Sequence, residues 1–151
     1  MEATVRLAPG TRFGTATVPG LADRVLSAFP GIVRHRCECG SPHGIIAELA
    51  NTELPHVLEH VALELMVLAG SPRGIEGETR WDFSADGHGV FRVTLDYDDD
   101  LVALSALCEA AAIVNLLVGQ PGVSIDAHSA IARVQGTRRR AHSGSGAPVR
   151  P

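Results

Sequence analysis

Two histidines and a glutamate stand one helical turn apart in the segment "LPHVLEHVALEL", residues 54–65. At the helical advance of about 100° per residue, His60 lies about 40° round from His56 and Glu59 about 300°, so the imidazoles share one stripe with the carboxylate beside it. Two imidazoles at i and i+4 can both reach one Zn²⁺, at about 2.0–2.1 Å each. The intervening carboxylate is then placed to take a proton from metal-bound water, as general base rather than ligand. The order His56-Val57-Leu58-Glu59-His60 is the H-x-x-E-H inversion of the zincin motif. The competing reading is a helix with His and Glu turned to solvent. It is weakened by Val57, Leu58, Val61, Ala62, Leu63 and Leu65, which leave little of the helix for an exposed face.

A metal held by His56 and His60 needs a further ligand. Glu109 is the leading candidate, as the only acid in the apolar run Leu101–Val118. A buried carboxylate there requires a cation or several donors. The alternatives are an ion pair with an arginine or simple exposure at the helix edge. Glu64 shares the histidine stripe, but it is two turns from His56, about 12 Å along the axis. It reads as a support that orients a ligand histidine or a substrate group. Glu76 and Glu78, on a glycine-rich loop, are outside candidates. "HRCECGSPH" gathers His35, Cys37, Cys39 and His43; its C-x-C spacing is not that of a usual structural zinc site, and a packed loop with small thiols competes.

The elements that must position these groups are legible in outline. Asn51 or Thr52 can cap the histidine helix, Pro55 suits its first turn, and Gly70 with Pro72 ends it. "LADRVLSAFPG" predicts a short helix over 21–29. "IVRHRC" has room for a short strand at its start, and "IIAEL" is a strand or a helical turn. A strand is expected near Thr79–Phe83. "GVFRVTLDYD" alternates as a half-buried strand, and the Asp86–Gly89 run before it suits a hairpin. Asp98, Asp99 and Asp100 precede a long alanine-rich helix, where its dipole favours them. The order is an α+β fold: a small, mostly antiparallel sheet packed against two long helices, one carrying H-x-x-E-H. Residues 1–135 form the single domain, and 136–151 read as a disordered, Arg-rich tail.

Composition narrows the chemistry. With 151 residues and 45% hydrophobic content, the chain can bury one real core. All 13 cationic side chains are arginine, so no P-loop or Schiff-base lysine exists. Residues 1–135 hold nine Arg against 17 acids, a net of -8. That argues against nucleic acid as the ligand and would attract a cationic substrate. Three cysteines suit a reducing compartment, and "MEATVRLAPG" has no apolar signal core, so a cytoplasmic protein is expected. The run Leu101–Val118 approaches the length of a membrane span, but Ser105, Glu109 and Asn115 make it a buried helix and no membrane is expected.

The stretches "FPGIVRHRC", "GSPHGIIAEL", "LPHVLEHVALELMVLAG", Thr79-Arg80, "GVFRVTLDYDDD" and "ALCEAAAIVNLLV" together resemble the N-terminal domain of cyanophycin synthetases, over roughly 20–120. The resemblance implies an accessory module to polymerising sites. In some members it also implies a zinc-dependent hydrolytic site that cleaves the polymer internally. It would make His56 and His60 ligands, Glu59 the base and Glu109 the remaining ligand. The loop "SPRGIEGETRW" departs from the family's usual "GFGRTR" by placing Glu76 and Glu78 there, which bears on substrate identity. Arg80 would bind a substrate carboxylate or serve as a structural ion pair. The leading expectation is a zinc metallopeptidase acting on a peptide or polyamide, with homo-oligomerisation left open. A non-catalytic, polymer-binding module is the alternative, and hydrolysis of a small molecule is a third reading.

Overall fold

The computed structural model describes residues 1–36, 44–120 and 122–144. In chain order the elements are β1 (Glu2–Arg6), α1 (Leu21–Ala28), α2 (Gly44–Ala50), α3 (Leu54–Leu68), β2 (Gly77–Arg80), β3 (Val90–Leu95), α4 (Asp100–Gly119) and α5 (Ala127–Gly144). Two 3-10 turns, Thr15–Thr17 and Pro30–Arg34, flank α1. The fold is α+β, as expected.

β3 is the middle strand of an antiparallel sheet in the order β1-β3-β2. Its alternation holds: Phe91, Val93 and Leu95 are buried while Arg92 and Thr94 face out. The sheet packs on one side of α3, and α4 packs along α3 elsewhere. A helix covered on several sides must be apolar nearly all round. α3 accordingly buries twelve of its 15 residues, from Leu54 to Met66 with only His56 partly exposed. Pro55 sits in its first turn, and Gly70, at φ +104°, ends it in the left-handed conformation that glycine tolerates. The expected cap differs: Glu53 holds the N-cap position with no side-chain cap bond, and the Thr52 hydroxyl is turned to His56 instead.

α4 is long and apolar enough to cross a membrane by length and composition. In this fold Val102, Ala106, Ala110, Ile113 and Leu117 join the core at helical spacing. Asp99 caps it, accepting from the Leu101 and Val102 amides at 3.0 and 3.1 Å.

Two local expectations are corrected, and one open alternative is decided. The strand at the start of "IVRHRC" is the 3-10 turn Pro30–Arg34, whereas "IIAEL" takes the helical of its two expected forms. The domain boundary at 135/136 falls inside a third long helix, because α5 runs unbroken to Gly144. Its tail-like arginines have partners: Arg138 donates to both Asp98 oxygens at 2.9 and 3.0 Å and to Ser71 Oγ at 2.6 Å. Ala130 and Val134 bury the same helix against the core. Of the expected disordered tail, residues 145–151 lie outside the described residues.

Candidate metal centre

Burying a polar side chain without a partner costs free energy. On α3 three such groups are nearly inaccessible: Glu59, His60 and Glu64 are 2%, 1% and 4% exposed. Each is met by a group brought from another element. β2 delivers Thr79, whose hydroxyl donates to Glu59 Oε2 at 2.6 Å. That approach requires Gly77, since a Cβ there would lie 2.9 Å from Glu59 Cγ and Oε1. The 3-10 turn Pro30–Arg34 delivers His35, whose Nε2 lies 3.0 Å from Glu64 Oε2. Here Gly31 makes the room, because its Cβ would fall 1.7 Å from Glu64 Oε1.

The histidines form a string. His35 Nδ1 is 3.2 Å from His60 Nδ1, and His60 Nε2 is 3.0 Å from His56 Nε2. His56 Nδ1 in turn lies 2.8 Å from Thr52 Oγ1. One nitrogen each of His56 and His60 and one oxygen of Glu59 lie within 4.8 Å of one another. Two nitrogens bound at about 2.0–2.1 Å in a tetrahedron sit about 3.3 Å apart. The His56–His60 separation is therefore close to what one ion would impose, and nitrogen and carboxylate donors suit Zn²⁺. His56 and Glu59 face an open cleft of about 910 Å³, whose acids include Glu48, Glu53, Glu76, Glu78 and Asp96.

Burial also tunes these groups. It raises the Glu59 carboxyl to about 7, with the Thr79 bond opposing and the Glu78 charge assisting. It lowers His60 to about 3, reinforced by His56 and then His35. His56 is lowered too, chiefly by burial, against the pull of Glu48 and Glu53. Both imidazoles thus favour the neutral form that binds metal, and Glu59 titrates where a general base is useful.

The structure brings together His56, Glu59 and His60, and it gives Glu64 a partner in His35. It does not bring Glu109 to them. That carboxylate is held by Arg133 of α5, with Nε to Oε1 at 2.6 Å and Nη2 to Oε2 at 2.7 Å. The cation its burial demands is a guanidinium, the alternative its setting left open. Arg80 pairs with Glu78 on the exposed edge of β2 and lines the cleft, so both readings of its guanidinium stay open. Of the cluster His35, Cys37, Cys39 and His43, only His35 lies within the described residues. Sequence reasoning placed it with the cysteines and missed its place beside His60.

Residues 3–119 match the family model described as cyanophycin synthase-like N-terminal domain. The chain belongs to this family. It is 33% identical over 85 residues to the cyanophycin synthetase of Synechocystis sp., covering 56% of the chain. A cyanophycin synthetase of Crocosphaera subtropica is 33% identical over 84 residues, or 55% of the chain. The one from Geminocystis herdmanii is 32% identical over 81 residues, or 53%. The chain spans 9% of the length of each of these relatives. The family match stops at the last residue of α4, so α5 lies outside it.

Proposed function

We propose that this chain is a polyamide-binding accessory module of the cyanophycin synthetase N-terminal type, with its ligand lying in the acidic cleft beside His56 and Glu59. The family membership supports the class of ligand. The carrying observation is the cleft itself, where Glu48, Glu53, Glu76, Glu78 and Asp96 face Arg36 and Arg80. Such an excess of carboxylates favours a cationic chain. Calorimetric titration with cyanophycin and with short cationic peptides tests it. Binding should weaken about tenfold in Glu48→Lys and again at high salt. Unchanged affinity in that variant, with the fold intact, would overturn the cleft assignment.

A second reading is favoured by the His56, Glu59 and His60 group: zinc-dependent amide hydrolysis of the bound chain. A divalent metal at the two histidines would polarise the scissile carbonyl and lower the pKa of a bound water. Glu59, held by Thr79 and titrating near 7, takes the water proton and returns it to the leaving amine. The test is release of new amino termini from cyanophycin or peptides by the zinc-supplemented protein. Turnover should vanish in Glu59→Gln while metal stays bound; a fully active Glu59→Gln would remove Glu59 from the reaction.

A further inference from the structure

Backbone hydrogen bonds alternate in direction along a strand of an antiparallel sheet. Leu95 N–H donates to the Met1 carbonyl at 2.8 Å and Leu7 N–H to the Gly89 carbonyl at 3.0 Å, so the odd-numbered residues along β3 turn their backbone groups to β1. Asp96 N–H donates to the Glu76 carbonyl at 2.8 Å, so the even-numbered ones turn to β2. In the same register Glu78 and Arg80 bond to Thr94 and Arg92, and the backbone groups of Gly77 and Thr79 point away from β3. β2 is an edge of the sheet, in the order β1-β3-β2, so these groups point to an unpaired side. Among the described residues neither the N–H nor the C=O of Gly77 or Thr79 has a hydrogen-bond partner. Both residues line the cleft of His56 and Glu59.

We propose that an extended polyamide binds this cleft as a fourth strand, pairing its backbone with Gly77 and Thr79 on the open edge of β2. This rests on the reading of the acidic cleft as the site of a cationic chain. A strand laid on an open edge takes its affinity from main-chain hydrogen bonds and its specificity from alternate side chains. The open groups of Gly77 and Thr79 stand two residues apart, about 7 Å, which is the repeat of any extended chain laid beside them. Charge selects the occupant. A cationic chain meets Glu76, Glu78 and Asp96 at this edge, whereas a second copy of the protein would bring two such sets of carboxylates together. Gly77 and Thr79 also face α3: the Thr79 hydroxyl bonds Glu59, and Gly77 passes close to the same side chain. A backbone paired to these two residues is therefore held beside Glu59, and the pairing itself requires no metal.

The test is calorimetric titration of the full chain with a capped hexapeptide of alternating arginine and alanine. Two analogues are compared with it, one N-methylated at the arginine amides and one at the alanine amides. An N-methyl group removes a donor and blocks pairing only where the amide faces β2, so the two analogues should differ in affinity by at least about tenfold. Thr79→Pro removes the open N–H and spares the ladder to β3, as proline does on an edge strand. It should weaken the unmodified peptide about three- to tenfold relative to Thr79→Val, which loses only the hydroxyl. In amide hydrogen exchange, Gly77 and Thr79 should gain protection on binding, while Glu78 and Arg80, already paired to β3, change little. Analogues within twofold of each other, while Glu48→Lys still weakens the unmodified peptide, would overturn the edge pairing alone. If the unmodified peptide does not bind, the cleft reading falls and the edge pairing with it. Should Thr79→Pro fail to fold, the methylated analogues and the exchange pattern decide: equal affinities with Thr79 left unprotected overturn the proposal.

Discussion

Two places in this molecule bring charged and polar side chains out of water, and they resolve the problem differently. At α5 carboxylates meet guanidinium groups. Glu109 meets Arg133 in a bidentate pair, and Asp98 meets Arg138 with Ser71 between them. The outcome is a helix fastened to the core by two arginine–carboxylate pairs, with Arg138 Nε left unmatched. Around α3 histidines meet one another. There one buried string runs from Glu64 through His35 and His60 to His56, imidazole beside imidazole, and Glu59 lies next to it. An arginine–carboxylate pair reads as structure, and imidazoles converging with a carboxylate read as a candidate place for a ligand.

The sharpest way to break this contrast is to remove a histidine. His60→Ala should lower zinc affinity by more than about a hundredfold, beyond the loss expected for an orienting group. Competition with a chelator measures it. An affinity close to wild type would make the string a structural network like that of α5.

A second probe uses pH on metal-free protein. The folded pKa of Glu59, about 7, lies above its unfolded value of 4.5, so the folded state holds the proton more tightly. Its contribution is therefore intact below 4.5 and is lost as pH rises through 7. His60, lowered from 6.5 to about 3, works oppositely: the unfolded state takes up protons first, and stability falls as pH drops below 6.5. In chelator, Glu59→Gln should exceed wild type by about 2–3 kcal/mol at pH 8 and lose that advantage near pH 4.5. Urea unfolding at the two values measures it. A pH-independent difference would mean that Glu59 is not kept protonated by its surroundings.

The α5 anchor predicts the reverse profile with a smaller size. Arg138 holds Asp98 down at about 2, against 3.8 unfolded. That stabilisation is present above pH 4 and is lost as pH falls toward 2. After discounting for the partial exposure of the pair, Arg138→Ala should cost about 1 kcal/mol at pH 7. It should leave zinc affinity unchanged. Thermal melts with a metal titration check both, and a coupled loss of zinc would join two regions that the fold keeps apart.

What the sequence made legible follows from the range of each interaction. The alternation of β3, Pro55 at the start of α3 and the Asp99 cap are local, and all are written within a few residues of where they act. The spacing of His56, Glu59 and His60 is local as well. The length of α5 was not legible, because its polar, Arg-rich second half gives no apolar stripe to read. Its anchors are pairs 24 to 67 residues apart in sequence. His35 was missed for the same reason, lying 25 and 29 residues from the groups it touches. One signal was available: Glu64, on a helix with no exposed face, had to find a donor elsewhere, and a glycine beside that donor would mark the approach.

Glu109 offers the smallest effect and the cleanest discrimination. Burial in an apolar helix does imply a cation for its carboxylate, but it does not say which cation, and Arg133 from beyond the family-matched segment supplies one. Arg133 is largely exposed, so solvent screens the pair and Glu109→Gln should cost no more than about 1 kcal/mol. Zinc affinity should stay within twofold of wild type, because the substitution alters a contact with α5 and nothing in the string from Glu64 to Thr52. A tenfold loss of affinity in Glu109→Gln, with the melting temperature preserved, would require α5 to release Glu109 when metal binds. It would place that carboxylate in the ligand set after all, and α5 would become the element that competes with the metal for it.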